Sequence, residues 1–450
     1  MNDRIIARVG RPRAVVLTSM RRAAFAVAAP LFGAAVLGAP MRAQSAPEVV
    51  VIRAARMLDV VTGQMVRNPS VVVTGDRITG INPMPTPTGV RVIDLGDMTL
   101  LPGFIDLHTH LPGQISATSF TEVVTETEVD AAFRAVKNAR KTIDAGFTTV
   151  RDVGSPVTVA LGKAMERGDV VSPRVISSRY AIGITGGHCD VTGFAPGVLE
   201  GGPTVGVADG PWQVVEAVRY QIKHGAQVIK TCATAGVLSL EGPVGAQQFS
   251  YEELKAMVDE AARHGIRVAA HAHGTEGIKA AIRAGVSSIE HGSMLDDEAI
   301  DLMKTHGTYL VPTQYLIDRI NLDMLPPPIR AKAEYIMPLG RESLRRAIAA
   351  GVRIAFGTDA GVYPHGENAR EFAVYVKAGM TPLAALRTAT SVAADVLGKT
   401  DRGVIATGRL ADMVAVPGDP LQDITATERV AWVMQGGKVV RDARGGSKQN

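Results

Sequence analysis

Eight apolar, strand-like segments alternate with helical patterns through the middle of this 450-residue chain. The alternation limits the fold to parallel strands joined by helices, because parallel strands need long crossover connections. The segments lie between Gly103 and Asp359, a length typical of a (β/α)8 TIM barrel of roughly 250 residues. A doubly wound sheet uses the same units and is the structural alternative. The predicted strands are Phe104–His110, Phe147–Asp152, Arg174–Ile182, Ala226–Thr231, Ile266–His273, Ser287–His291, Thr308–Pro312 and Val352–Asp359.

Short strand-like segments at both ends of the chain indicate a second, smaller domain. Turn signals such as Gly75-Asp76 and Gly436-Gly437 separate these segments, as is usual between β-strands. We therefore expect both chain ends to form one small β-sandwich domain. The predicted divisions are a signal peptide over 1–46, the β-sandwich domain over 47–102 and 404–450, and the barrel over 103–403.

The first 46 residues have the pattern of an export signal. Arginines precede the apolar stretch Ala23–Gly38, and small residues follow it around Ser45, which is the order found in secretory signals. A membrane anchor is the alternative, but this stretch of 16 residues contains Pro30 and is shorter than the ~20 residues of a membrane span. The segment predicts an exported protein, periplasmic or secreted.

The charge of the chain is unevenly distributed. The formal net charge of +4 alone suggests an acidic partner such as nucleic acid or a membrane surface. Residues 1–46 hold seven arginines, no lysine and one aspartate, which leaves 41 basic and 43 acidic residues in 47–450. The basic excess belongs to the predicted signal, so we expect no nucleic-acid partner and no membrane partner after processing.

Metal-binding residue types lie at the C-terminal ends of several predicted strands. In a barrel these strand ends carry the chemistry. His108 and His110 are two residues apart on the first strand, so both imidazoles face one side and can bind one metal ion. The remaining residues of this kind are Lys230, His271, His273, His291 and Asp359.

Three other histidines have a structural explanation. Each one ends a helical pattern and precedes a glycine, a place where histidine complements the helix dipole and glycine forms the C-cap. They are His224, His264 and His306. A helix is predicted over Tyr251–Arg263, with Ser250 and Glu253 forming a capping box at its start.

Six short motifs resemble the amidohydrolase superfamily, and the resemblance covers residues 49–441. They are Gly103–His110, Val228–Thr231, Ala270–Gly274, Ile289–Gly292, Phe356–Gly361 and Gly408–Val414. Within the superfamily, the chain is most similar to the imidazolonepropionase-like branch. That branch includes Xaa-Pro and Xaa-Lys/Arg dipeptidases and amidohydrolases that cleave ochratoxin A.

The resemblance implies a binuclear centre of two divalent metal ions. Zinc suits the mixed nitrogen and oxygen ligands, although Mn or Co would also fit. The implied ligands are His108, His110 and Asp359 for the buried ion, and His271 and His291 for the exposed one. Lys230 would bridge the two ions as a CO2-derived carbamate.

The resemblance also implies the chemistry. The metal ions would activate a water molecule, and Asp359 would transfer its proton to the leaving amine. His273, and His188 in the loop after the third strand, would contact the carbonyl or carboxylate of the substrate. The expected substrate is a small molecule, a dipeptide or an N-acyl amino acid of the ochratoxin A type, cleaved at the amide to its C-terminal amino acid.

Other functions stay open at this point. A cyclic amide or lactone could be hydrolysed at the same centre, and a non-catalytic scaffold could keep the fold alone. A deaminase is disfavoured because deaminase sites of this superfamily lack the bridging lysine. Family members are often dimers to octamers, which implies a homo-oligomer.

A few residues near the predicted strand ends have uncertain roles. Cys189 and Cys232 could form a disulfide in an oxidising compartment, but two unpaired buried thiols are the favoured interpretation. Residues 233–249 are a candidate lid or specificity loop. Tyr315 and Tyr363 could line the pocket, although simple packing is the commoner role for such residues.

Overall fold

The computed structural model describes residues 47–444 apart from Thr86 and Ala117. The predicted signal peptide over 1–46 and residues 445–450 lie outside the described residues. Within the described part, no helix is both long enough and apolar enough to cross a membrane.

The strands occupy both chain ends and the predicted barrel. The strands of the chain ends are β1 (Val49–Arg53), β2 (Arg56–Leu58), β3 (Met65–Arg67), β4 (Ser70–Thr74), β5 (Arg77–Ile81), β6 (Arg91–Asp94), β7 (Met98–Pro102), β15 (Met413–Pro417), β16 (Trp432–Gln435) and β17 (Lys438–Asp442). The barrel strands are β8 (Phe104–Thr109), β9 (Phe147–Asp152), β10 (Arg174–Ser177), β11 (Ile229–Cys232), β12 (Val268–Ala272), β13 (Ser288–His291) and β14 (Tyr309–Val311).

Helices follow the barrel strands and cover the barrel from outside. They are α1 (Ser119–Thr125), α2 (Glu128–Asp144), α3 (Val157–Arg167), α4 (Gly210–Lys223), α5 (Tyr251–Arg263), α6 (Thr275–Ala284), α7 (Asp297–His306), α8 (Tyr315–Arg319), α9 (Pro327–Ala349), α10 (Arg370–Lys377), α11 (Pro382–Thr388) and α12 (Ser391–Val396). The prediction for α5 is confirmed, with the Ser250–Glu253 capping box at its start. His224, His264 and His306 lie at helix C-termini as expected.

Parallel pairing closes the barrel strands into the predicted (β/α)8 barrel. The ladders run β10-β9-β8 and β11-β12-β13-β14. Single parallel bridges, Ile182 with Thr231 and Leu310 with Ile354, continue the pairing between these sheets. Pairing of Thr109 with Ala360 returns the eighth segment to β8.

Most barrel strands are shorter than predicted, and the third and eighth differ most. The third strand ends at Ser177 because Arg179 adopts a left-handed backbone with φ 58°, and the Ser177 hydroxyl accepts its N–H. The eighth segment contains bridges but no continuous strand. There the N–H of Thr358 is shared between the Asp106 carboxylate at 3.2 Å and the His108 carbonyl at 3.4 Å.

Both chain ends contribute to two further sheets. One has the order β5-β4-β1-β6 and the other β17-β16-β15-β7-β2-β3. Antiparallel pairing of β15 with β7, with Val414 opposite Leu101, joins the two ends of the chain. The sheets share a core that includes Ile52, Val71 and the fully buried Trp432, so burial of apolar surface holds them together.

Candidate metal centre at the barrel mouth

Asp359 lies between the two histidines of the first barrel strand. Its Oδ1 is 3.5 Å from His108 Nε2 and 3.2 Å from His110 Nε2. The His108 side chain is buried and that of His110 is 35% exposed. Asp359 stays beside β8 because its N–H donates to the His108 carbonyl at 2.8 Å. The structure thus brings together the three residues that the family resemblance assigns to the buried ion.

The other predicted ligands surround this trio. Lys230 Nζ lies 3.4 Å from His108 Nε2. The structure contains two groups of three residues whose donor atoms, within each group, all lie within 4.8 Å of one another. His291 belongs to both groups. The first group is His108, His291 and Asp359, and the second is His271, His273 and His291.

His271 and His273 both belong to the second group, although the family resemblance implies only His271 as a ligand. The Nε2 of His271 is buried without a hydrogen-bond partner among the described residues. The Nδ1 of His273, in contrast, bonds the Ser293 hydroxyl at 2.8 Å. A buried polar atom without a partner is costly, so the free nitrogen of His271 suits a metal ligand. The structure also places His273 at donor distance, which the predicted ligand set does not include.

Polar side chains form hydrogen bonds with the Nδ1 atom of several of these histidines. Such bonds fix the orientation of a ligating ring and leave Nε2 for the metal. The pairs are His108 Nδ1 with Glu290 at 2.8 Å, His291 Nδ1 with Thr313 at 2.7 Å, and His273 Nδ1 with Ser293 at 2.8 Å. Sequence analysis missed these partners. Only Glu290 carried a signal, as an ionisable residue inside a buried strand next to His291.

Glu290 forms a buried ion pair below the centre. Its Oε1 lies 2.7 Å from Arg151 Nη2 and also accepts from the Ser288 hydroxyl at 2.6 Å. Both members of the pair are at most 1% exposed. Arg151 also donates its Nε to the carbonyl of Leu107 at 2.5 Å. The carboxylate that orients His108 is therefore fixed by an arginine inside the barrel.

Burial sets the protonation states of the centre. It lowers the pKa of His108 to about 4 and that of His273 to about 3, and it holds the pKa of His271 and His291 well below the usual value. Burial alone would raise the pKa of Asp359, but the nearby imidazoles outweigh it and hold this pKa far below its usual range. Neutral imidazoles and an ionised carboxylate are the states that metal binding requires.

The backbone is unusual at three residues of the centre. His291, Thr313 and Asp359 have φ angles of 69°, 50° and 60°. This left-handed region is uncommon for residues other than glycine, and such strain concentrates at functional sites. At His291 it interrupts the strand alternation, so that Glu290 and His291 both contribute to the barrel interior.

His188 lies beside the centre, on the loop after β10. Its ring centroid is 4.3 Å from that of His271, and it lines the same cavity. Tyr315 and Tyr363 pack against each other with ring centroids 5.1 Å apart. Neither is among the described residues that line the cavity, and both are buried, which agrees with the packing interpretation.

A cavity of about 670 Å³ opens onto the predicted ligands. Its lining combines the histidines, Lys230 and Asp359 with a wall that is mostly apolar. Side chains of this wall come from several loops and helices and include Leu199, Val207, Leu238, Ile317, Ile336 and Met337. The cavity is large enough for a small-molecule ligand.

The two cysteines form a disulfide at the cavity wall, so the expectation of two unpaired thiols is wrong. The Cα atoms of Cys189 and Cys232 are 5.8 Å apart. The N–H of Cys232 donates to the Ile182 carbonyl at 3.0 Å, which places the loop after β10 beside β11. This contact joins segments far apart in sequence, and local patterns do not reveal it.

The donor set fits divalent metal ions. Neutral imidazole nitrogens and a carboxylate are the ligands that zinc takes, and the unpartnered Nε2 of His271 needs a partner. His108, His291 and Asp359 would hold one ion, and His271 would bind the second with His291 or His273. Metal identity and the role of Lys230 stay predictions at this point.

Comparison with known proteins identifies similar chains. The sequence model of the amidohydrolase family matches residues 99–440. Ochratoxinase from Aspergillus niger is 35% identical over 366 residues, which cover 76% of this chain and 75% of the ochratoxinase. Its crystal structure has a TM-score of 0.79 and 31% identity, covering 89% of this chain and 97% of that one.

Two solved dipeptidase structures are also similar. A Xaa-Pro dipeptidase with methionine bound in its active site has a TM-score of 0.84 and 37% identity. A prolidase complexed with N-methylphosphonate-L-proline has a TM-score of 0.82 and 34% identity. In each case the match covers 88% of this chain and 100% of the other.

Proposed function

The chain belongs to the amidohydrolase family and is a hydrolase of amide bonds in small molecules; from this premise we propose that it cleaves the amide to a C-terminal amino acid in dipeptides or N-acyl amino acids. One observation carries the proposal: His291 belongs to two donor groups that meet beside Lys230. Two adjacent donor groups are suited to a pair of metal ions. The ochratoxinase and dipeptidase relatives support this substrate class.

Lys230 carries the bridging carbamate in this proposal. Burial lowers the pKa of its amine to about 8, although Glu290 and Asp359 oppose this effect. A substantial fraction of the amine is therefore neutral near pH 7 to 8. The ammonium form first loses its proton, and the neutral amine then adds to CO2 and releases a second proton, which gives an anionic carbamate able to bridge two cations. Without this change the positive charge of Lys230 would repel a metal ion.

The chain's own groups divide the remaining chemistry. Two divalent ions, zinc by preference, would supply an activated water and polarise the scissile carbonyl. Asp359 is ionised, so it would accept a proton from the attacking water and pass it to the leaving amine. His188 and His273 line the cavity beside the centre, where each can contact the carbonyl or carboxylate of the substrate.

The cavity wall indicates an apolar substrate. Leu238, Ile317 and Met337 belong to the apolar wall, and they would bury an apolar side chain or acyl group by the hydrophobic effect. The phosphonate of the prolidase ligand is tetrahedral like an amide carbon under attack, which supports a similar reaction here. A cyclic amide or lactone stays the alternative substrate.

Two parts of the proposal concern the whole chain. The sheets built from both ends favour one small β-sandwich domain beside the barrel. Residues 1–46 favour export to the periplasm or the medium, and the Cys189–Cys232 disulfide suits such an oxidising compartment. A protease-protection and fractionation experiment on expressing cells tests the export proposal.

Metal analysis with a matched pair of lysine variants tests the centre. The purified protein should contain about two divalent ions per chain, and Lys230→Ala should lose metal and activity. Lys279→Ala is the control, because Lys279 is also largely buried but pairs with Asp296 and Glu298 on the protein surface. Labelled bicarbonate should give a carbamate carbon signal that Lys230→Ala lacks. A protein that binds no metal and gains no activity with zinc would refute the proposal.

A substrate panel tests the reaction. It contains N-acyl amino acids and dipeptides with apolar, acidic and basic C-terminal residues, together with cyclic amides and lactones. We expect release of the C-terminal amino acid, with apolar compounds cleaved fastest. Exclusive cleavage of the cyclic compounds would instead support the alternative function.

A further inference from the structure

The sequence suggests residues 233–249 as a candidate lid or specificity loop. In the structure this segment packs against the side chain of His188. The imidazole lies directly against Gly236, where a Cβ atom would be only 2.2 Å from His188 Cε1. Only glycine leaves room for the ring at this position. The segment therefore contacts a residue that lines the cavity and does not simply cover the opening.

Polar groups of the same segment lie beside the Nδ1 atom of His188. Its Nδ1 is 2.5 Å from the Ser239 hydroxyl and 3.5 Å from Glu241 Oε1. Glu241 is 7% exposed, and its Oε1 also accepts the N–H of Gly236 at 3.0 Å. Burial raises the pKa of Glu241, but the bonds from His188, Ser239 and Gly236 outweigh it and lower the pKa to about 2. The carboxylate is therefore ionised at neutral pH.

Further contacts hold both sides of this arrangement. The N–H of His188 donates to the Gln248 amide oxygen at 3.1 Å, and Cys189 is joined to Cys232 at the end of β11. On the other side, Lys332 donates to the carbonyl of Ser239 at 3.0 Å. A ring fixed by its neighbours in this way loses little conformational entropy when it binds a ligand.

We infer that Glu241 is a positioning residue that, together with Ser239, orients the ring of His188. The ionised Glu241 carboxylate, 3.5 Å from Nδ1, favours the tautomer with the ring proton on Nδ1, where the Ser239 hydroxyl can accept it. This tautomer leaves Nε2 of His188 with its lone pair free for the substrate or an acidic proton. The effect on catalysis rests on the proposed function, whereas the tautomer does not.

A double-mutant cycle tests the coupling. Glu241→Gln keeps the size of the side chain and removes its charge, and we expect kcat/KM to fall about 10-fold or more. In a His188→Ala background the same substitution should cause no further loss, because the residue through which it acts is absent. Equal losses in both backgrounds would overturn the inference. Glu260→Gln is the matched control, since Glu260 is buried and pairs with His264 at 3.3 Å outside the cavity.

Nitrogen NMR of the imidazole rings gives a readout that needs no substrate. The chain has ten histidines, and the signal lost in His188→Ala identifies His188 in protein labelled with 15N-histidine. We expect a ring that carries a proton on Nδ1 in the wild type and a mixture of tautomers in Glu241→Gln and Ser239→Ala. A ring protonated on Nε2, or one unchanged in both variants, would refute the inference. If the spectra agree but no amide is cleaved, the proposed function fails and the inference stands.

Discussion

The buried pair of Arg151 and Glu290 gives the sharpest stability prediction. Replacing Arg151 with Met removes the arginine charge and leaves the Glu290 carboxylate buried. That carboxylate keeps the Ser288 hydroxyl and the His108 ring as partners. We expect a large loss in the free energy of unfolding, because one charge of a buried pair is left without its partner.

The structure gives the size of the effect. Burial on its own raises the pKa of Glu290, but Arg151, His108 and Lys230 outweigh it and lower the pKa from 4.5 to about 2. This difference corresponds to about 3 kcal/mol in favour of the ionised carboxylate, at about 1.36 kcal/mol for each tenfold change. Breaking a buried pair typically costs about 3–5 kcal/mol. We therefore expect Arg151→Met to lower the free energy of unfolding by about 3 kcal/mol.

Urea denaturation of matched variants measures this loss. Arg345→Met is the control, because Arg345 and Glu342 form an exposed pair at 2.6 Å whose loss should cost less than about 1 kcal/mol. The double variant Arg151→Met with Glu290→Gln should lose less than the sum of the two single variants, since no buried charge stays unpaired. Additive losses, or an Arg151→Met effect as small as that of the control, would refute the reasoning.

The same pair predicts a pH dependence. Because the pKa of Glu290 is lower in the folded state, the unfolded chain takes up a proton first as the pH falls. The stabilisation is complete above the unfolded pKa of 4.5 and is lost between 4.5 and about 2. Glu290→Gln should therefore show a shallower loss of stability over this range, and identical slopes in the two proteins would contradict the assignment.

Three further predictions concern separate parts of the chain. The variant with Ala at Cys189 and Cys232 should lose up to about 4 kcal/mol, since the disulfide closes a 43-residue separation; a reductant should destabilise the wild type in thermal melts and leave the variant unchanged. Ser250→Ala should cost about 1 kcal/mol by removing the N-cap of α5, measured by urea denaturation, with activity unchanged. Ile317→Asp should lower kcat/KM about 10-fold or more for apolar substrates by placing a charge in the apolar wall, and equal rates on apolar substrates would contradict that wall's role.

Local patterns in the sequence were sufficient for the elements and for the main donors. Strand periodicity and the spacing of His108 and His110 depend on neighbouring residues, so both could be predicted. The helix over Tyr251–Arg263 begins with a capping box and ends near a glycine, which fixed its limits. The barrel then placed Lys230 and Asp359 at the same mouth.

Contacts between distant segments could not be predicted in the same way. Arg151 and Glu290 are 139 residues apart, and nothing near either residue indicates the partner. The disulfide depends on the bridge between Ile182 and Thr231, which forms only in the closed barrel. The eighth strand was predicted too long because its apolar pattern does not show that the Asp106 carboxylate, from a distant strand, shares the N–H of Thr358 with the backbone.

The left-handed residues of the barrel mouth affect any attempt to engineer this protein. Each such conformation costs about 1–3 kcal/mol outside glycine, so glycine at His291, Thr313 or Asp359 would relieve strain. It would also remove a proposed metal ligand or the side chain that orients one. Variants selected for heat tolerance alone would therefore tend to collect changes at these positions and lose activity, so a stabilisation campaign should hold these three residues fixed.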